Sequence, residues 1–355
     1  MKIFVINPGS TSTKIALFNN SECLWSDTQR YDVEQLAPFT TVMDQEQFRY
    51  DEIVKVLDSK NVSPSEFSAV VGRGGVLKPV PGGTYIVNDK MLEDLRSMAY
   101  GVHASSLGAP LAVRCAVAAG DIPSFIVDPV VVDELADEAR ITGLPELPRV
   151  SVFHALNQKA VVRKAAAELG KKVTECNFVV AHMGGGVTVG AHLQGRVVDV
   201  NNGVDGDGPM SPERSGYLPA GKLAALCFSG KYSLSEIQKM ICGKGGLTAH
   251  LGTSDLRQVE ARIAEGDQKA SLVFEALALQ ISKEIGAAAT VLKGEVEAII
   301  LTGGLAYSDA LCERITSRVS SIARVLRYPG EDEMQALAGG ALRVLKGEEP
   351  FLKYE

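Results

Sequence analysis

Apolar and polar positions alternate in short blocks at the start of the chain. Residues 2–6 form an apolar run, 7–13 a polar turn and 14–18 a second apolar run, a pattern that predicts a β-hairpin with a polar tip. The arrangement returns far downstream. Residues 177–182 form an apolar strand, Met183-Gly184-Gly185-Gly186 a glycine tip and 187–193 the returning strand, followed by a turn at Gln194-Gly195 and a third strand over 196–200. Two such hairpins, one in each half, predict a duplicated domain. A 3.6-residue period predicts helices over 47–60, 89–98, 109–119 and 155–169, then over 219–229, 233–242, 255–265, 270–292 and 309–319. Strand-like runs at 69–72, 124–127, 298–302 and 324–328 fall among them, giving an α/β chain. The domains are placed at 1–150 and 151–333, with a last helix from about Met334 able to return to the first.

Length supports this division, because 355 residues exceed what a single core usually serves, and a cleft between the two domains is expected. An apolar fraction of 46% with 22% charged residues excludes a disordered or fibrous chain. The formal charge is −7 and no block of like charges occurs, which argues against nucleic-acid or membrane partners. No apolar stretch approaches the length of a membrane span, and the opening apolar run is too short for a secretory signal, so a cytoplasmic location is expected. Six scattered cysteines without a C-x-x-C pair read as reduced thiols filling core space.

Glycine clusters beside strands are where chemistry is expected. Asn7-Pro8-Gly9-Ser10-Thr11-Ser12-Thr13-Lys14 offers backbone N–H groups, hydroxyls and an amide in one turn, suited to phosphate oxygens and a hydrated Mg²⁺. Taken alone it reads better as an ordinary Asx/Ser-rich turn, and it is not a Walker A loop, since Lys14 leads into a strand. Gly184-Gly185-Gly186, following His182, is the stronger signal, because three glycines between buried strands give up packing to let something approach the main chain. Leu301-Thr302-Gly303-Gly304 ends a strand in a glycine pair on which a nucleoside could lie.

The order of these motifs resembles the superfamily of acetate and sugar kinases, Hsp70 and actin. Within it, the chain is similar to the acetokinase family over nearly its whole length. The likeness rests on the segment 7–14, Gly72-Arg73-Gly74-Gly75, His103-Ala104-Ser105-Ser106, Asp128-Pro129, Phe153-His154-Ala155-Leu156-Asn157-Gln158, the segments 182–186 and 205–216, and Pro329-Gly330-Glu331-Asp332-Glu333. It implies two duplicated ribonuclease-H-like (actin-like) domains with a cleft between them, ATP and Mg²⁺ as cofactors, a small carboxylate as substrate and a homo-oligomer, dimer or larger. Two departures from the acetate kinases, Gly185 in place of an Asn and Gln158 in place of a second His, point to the branch that takes butyrate. Isobutyrate, propionate and acetate stay open as acceptors. An Hsp70-like ATP-driven binding module is the reading from another class, and it would need a client-binding domain for which the chain leaves no room.

Taken singly, the polar residues of these motifs read as turn, cap or surface residues. By resemblance, Arg73 grips the substrate carboxylate, where a bidentate fork suits better than Lys, and His103 lines the same place. Arg214 is the cation beside the transferring phosphoryl group, His154 meets the γ-phosphate, and Asp128 is the carboxylate that positions the Arg and the metal. Ser10, Ser12, Lys14, His182, Gly184, Gly185, Gly186, Gly303 and Gly304 are assigned to nucleotide and phosphate, and Asn7 with Glu333 to Mg²⁺. His192 and His250 are expected to be structural. The implied reaction needs no strong base, because a carboxylic acid with a pKa of about 4–5 is ionised at neutral pH. The demand is to bring two anions together.

Overall fold

The computed structural model describes all 355 residues, which divide into two compact units: Met1–Val132 with Asp332–Glu355, and Asp133–Glu331. The second unit begins at Asp133 rather than near residue 151. Its first residues are tied to its own sheet: Glu134 accepts from Lys159 Nζ at 2.8 Å and from the Val197 N–H, and Arg149 pairs with Asp199 at 2.7 Å. At the other end, Asp332 and Glu333 group with the first unit.

In the first unit, strands β1 (Lys2–Gly9), β2 (Ser12–Asn19) and β3 (Glu22–Arg30) form an antiparallel meander, and β4 (Ala69–Arg73), β5 (Thr84–Ile86) and β6 (Ser124–Val127) extend it. β4 runs parallel to β1 and β6 parallel to β4, with β5 and Leu352–Lys353 at the far edge. Strand period sorts the side chains: Phe4 and Ile6 with Ile15 and Leu17 meet Ile53, Val56 and Leu57 of the helix Glu46–Ser59 and Leu111 and Cys115 of the helix Gly108–Ala118. The C-terminal helix Glu333–Leu345 packs against β1, β4 and β6. Gly72 and Gly108 bring β4 against the helix Gly108–Ala118 so closely that a Cβ on Gly72 would lie 2.1 Å from the Gly108 carbonyl oxygen.

The second unit repeats the plan. β7 (Asn177–Met183), β8 (Val187–Leu193) and β9 (Arg196–Val200) form the meander, and β10 (Ala298–Gly303) and β11 (Val325–Pro329) add in parallel, giving the order β11-β10-β7-β8-β9. Both meanders carry a register shift between second and third strands, at Leu17/Phe18 and at Ala191/His192. Val179, Ala181 and Met183 of β7 and Val187, Val189 and Ala191 of β8 face Phe274, Leu277 and Ile281 of the long helix Gln268–Val291. The alternate residues Phe178 and Val180 meet the helix Ala155–Glu168 through Val161, Val162 and Ala165. A strand buried on both faces reads as a continuous apolar run, and the fully buried β10 does.

The expected turn at 7–13 is tighter than the sequence suggested, since the ladder continues through Asn7↔Lys14 and Gly9↔Ser12 and leaves only Ser10 and Thr11 at the tip. The cysteines fill the core less than expected. Cys115, Cys176 and Cys312 are buried, but Cys23 and Cys227 are exposed, the latter on the helix Ala220–Cys227, which buries no residue. No helix is long and apolar enough to cross a membrane.

Candidate active site

The first unit gathers the residues assigned to the carboxylate and the cation. Asn7 lies opposite Lys14 across the hairpin, and Asn7 Nδ2 donates to Glu333 Oε2 at 2.6 Å. Glu333 opens the C-terminal helix, and its other oxygen, Oε1, is ion-paired with Arg73 at the end of β4. Asn7, Arg73 and Glu333 thus form one cluster. A carboxylate and an amide oxygen are hard donors, and so small a set suits a Mg²⁺ that keeps most of its waters. His103 caps the short turn Ala104–Leu107, where its Nδ1 accepts from the Ser105 N–H at 3.2 Å, leaving Nε2 as the protonated nitrogen. Burial first, and the Arg73 charge second, push the His103 pKa below its ordinary value, so this ring is neutral at pH 7.

Asp128 follows Val127, the residue that pairs with Arg73 across β6 and β4. It is buried with a positive φ of 38°, and its Oδ1 accepts from the Gly83 N–H at 2.7 Å while its own N–H donates to the Gly83 carbonyl. Arg73 is ion-paired with Glu333, and Asp128 adjoins the arginine through the β4–β6 ladder. The sequence reading missed Arg49, which is fully buried beneath the hairpin tip. Its guanidinium donates to the carbonyls of Gly9 and Ser12 at 2.8 Å each and of Ser10 at 3.1 Å, to Thr13 Oγ1, and to Gln45 Oε1. These carbonyls are turned toward Arg49, and Ser12 and Lys14 lie on the face of β2 opposite Thr13. A charged residue in line with Ile53 and Val56 on one helix face was the available signal.

The second unit builds a cradle at the β7–β8 tip. The Gly184 N–H donates to the Gly186 carbonyl at 2.9 Å, and Ser211 Oγ donates to the Gly185 carbonyl at 2.6 Å. Ser211 Oγ also accepts from the Arg214 N–H, which carries the arm 211–215 onto the tip. The Arg214 guanidinium donates to the Gly203 carbonyl and lies over Gly186, where a Cβ would stand 1.9 Å from Nη1. A side chain at residue 186 would have to displace the Arg214 guanidinium. His154 precedes the helix Ala155–Glu168 and stacks on His182, with ring centroids 3.8 Å apart and planes 10° from parallel. His182 Nδ1 donates to Asn157 Oδ1 at 2.8 Å, and Glu331 Oε1 lies 3.0 Å from His182 Nε2 without hydrogen-bond alignment. Gly303, with φ +87°, exchanges backbone hydrogen bonds with Gly330 and touches the Met183 backbone, so the end of β10 is drawn against the β7 tip. Beside Gly304 lies a cavity of about 530 Å³ lined by Asp255, Leu256, Arg257, Leu305 and Tyr307 among others.

Arg214, His154, His182 and Gly184 to Gly186 are therefore one constellation within the second unit, and Gly303 and Gly304 adjoin it. Each unit carries an array for binding anions, cationic or hydrogen-bond-donating.

Comparison with known proteins agrees with this geometry. The sequence profile of the acetokinase family matches residues 148–322. Butyrate kinase 1 of Clostridium acetobutylicum is 51% identical over 354 residues, covering 100% of this chain and 99% of that protein. Among solved structures, the acetate kinase of Porphyromonas gingivalis superposes with a TM-score of 0.80 at 20% identity, over 97% of this chain and 99% of its own. A propionate kinase from Francisella tularensis gives 0.74 at 18% identity, over 96% and 98%. Those two establish the fold, two duplicated actin-like domains, and the full-length relative at 51% identity establishes the family. The chain belongs to the acetokinase family.

Proposed function

We propose that this protein transfers the γ-phosphoryl group of ATP to the carboxylate of butyrate, giving butyryl phosphate and ADP, and runs reversibly. The observation that carries this reading is the end-to-end relationship to a butyrate kinase. A carboxylate oxygen attacks the γ-phosphorus, the bond from phosphorus to the β–γ bridging oxygen breaks, and the electron pair leaves with ADP. No proton has to be removed from the acceptor. This accords with arrays built of arginine, histidine and backbone N–H groups.

In this account, Arg73 holds the acid with His103 nearby. The Gly184–Gly186 tip and the hairpin around Ser10, Ser12 and Lys14 bind phosphates, and the cavity beside Gly304, of a size that suits a small ligand, takes the nucleoside. Arg214 and His154 meet the γ-phosphoryl group and stabilise the charge that spreads over its oxygens during transfer. Asn7 and Glu333 would hold Mg²⁺, whose chemistry is to neutralise phosphate charge. Asp128 acts through the Gly83 loop. Synthesis of ATP from ADP and butyryl phosphate tests the reading: turnover at a rate matching the forward reaction supports it. Absence of ATP formation, with the protein folded, would overturn it.

A further inference from the structure

Strand period places His182, Thr188, Gly190 and His192 on the β7–β8 face that meets the helix Ala155–Glu168, a polar stripe on an otherwise apolar surface. Thr188 and His192 are fully buried, and so is Gln158 of that helix. Most buried polar groups find a partner, and these side chains form a directed chain. Gln158 Nε2 lies 3.1 Å from the Thr188 carbonyl oxygen and 3.0 Å from Thr188 Oγ1. A carbonyl oxygen can only accept, so the amide cannot be turned around. Gln158 Oε1 then faces His192 Nε2 at 2.9 Å and accepts from it, so His192 carries its proton on Nε2. The other ring nitrogen, His192 Nδ1, is buried without a partner, and burial with the Lys159 and Arg163 charges nearby keeps this ring neutral. At the other end, Thr188 Oγ1 already accepts from Gln158. Its single hydroxyl proton is directed to His154 Nδ1, 2.9 Å away.

We infer that Gln158, Thr188 and His192 are positioning residues which, with the Thr188 carbonyl setting the direction, hold His154 as the neutral tautomer protonated on Nε2. Resting on the proposed phosphoryl transfer, this makes His154 a hydrogen-bond donor to the γ-phosphoryl oxygens through Nε2, with no proton to acquire beforehand. The reversed relay, with His154 donating from Nδ1, would aim an unprotonated nitrogen at an anion. It would also leave the buried Thr188 hydroxyl proton without an acceptor, since the other neighbour of Oγ1, Gln158 Nε2, is itself a donor.

The chain has five histidines, so ¹⁵N-histidine labelling with single substitutions assigns every ring. At neutral pH, His154 and His192 should each show a protonated Nε2 and an unprotonated Nδ1. Thr188→Val, nearly isosteric, should leave His154 as a mixture of tautomers and lower kcat on the order of 10- to 100-fold while KM for ATP and acid change little. Thr188→Ser, which keeps the hydroxyl, should restore both readouts. A His154 protonated on Nδ1 in the unsubstituted protein would overturn the inference while leaving the kinase reading intact. So would a Thr188→Val enzyme with unchanged kcat and unchanged tautomer. An unsubstituted protein that forms no acyl phosphate would sink the proposed function and leave the tautomer result standing.

Discussion

Arg73 and Glu333, 260 positions apart in the chain, form an ion pair in which the carboxylate bridges the arginine and the side-chain amide of Asn7. The pair joins the end of β4 to the first turn of the C-terminal helix, both within the first unit. It gives Arg73 one anionic partner at a fixed place, and a substrate carboxylate would meet the same fork.

Arg73→Ala should therefore raise KM for the acid on the order of 10- to 100-fold, the equivalent of one charged hydrogen-bonded contact, and lower kcat far less. Arg73→Lys should recover little, because an ammonium lacks the planar fork. Steady-state kinetics with the acid varied checks both. A large fall in kcat at unchanged KM would move Arg73 to the phosphoryl group.

Arg214→Ala should show the opposite split, with kcat down on the order of 10³-fold and KM values nearly unchanged, as for cations used mainly in a transition state. Gly186→Ala should reproduce much of that loss with Arg214 still present, since the new Cβ would fall 1.9 Å from Nη1 and push the guanidinium aside. Gly184→Ala, whose Cβ would meet nothing nearer than 3.4 Å, should be milder. If Gly186→Ala keeps full activity, the placement of Arg214 over the tip is not what transfer requires.

Arg49→Met should unfold the first unit more readily, by about 3 kcal/mol or more, because the carbonyls of Gly9, Ser10 and Ser12 would lose a buried donor together. Urea unfolding read by Trp25, the single tryptophan, measures this in the unit concerned. A loss below about 1 kcal/mol would mean that water replaces the guanidinium beneath the tip.

His103 should titrate below its ordinary value of 6.5, and Arg73→Ala should raise that value part of the way, burial being the larger cause. A depressed histidine pKa adds stability that is complete above about pH 6.5 and is lost as pH falls toward the folded-state value. Ring NMR of His103 in both proteins gives the two values. An unshifted His103 in the Arg73→Ala protein would place the arginine charge elsewhere.

Much of the architecture was legible because strand and helix periods are local. The apolar runs on either side of the glycine tip, for β7 and β8, and the 3.6 period of Gln268–Val291 located those elements to within a few residues. β3 escaped notice because its residues are exposed or half-exposed and its apolar ones, Cys23-Leu24-Trp25, are consecutive rather than alternating. The start of the second unit escaped because Glu134–Lys159 and Arg149–Asp199 pair across distances no local pattern encodes. Arg49 and His192 were passed over for a related reason. Each is one polar residue on an apolar face, and its role is defined by partners from other elements: the carbonyls of the hairpin tip for Arg49, and Gln158 for His192.

The central claim, phosphoryl transfer to a short carboxylate, is tested most directly by trapping the acyl phosphate with hydroxylamine across straight and branched acids of two to six carbons. With ATP and Mg²⁺ the account predicts hydroxamate formation whose kcat/KM peaks at four carbons and at branched four- and five-carbon acids. Acetate should fall on the order of 10- to 1000-fold lower, at roughly 1 kcal/mol or somewhat more per lost methylene. A profile that peaks at acetate would contradict the butyrate assignment, and no hydroxamate with any acid would contradict the transfer itself.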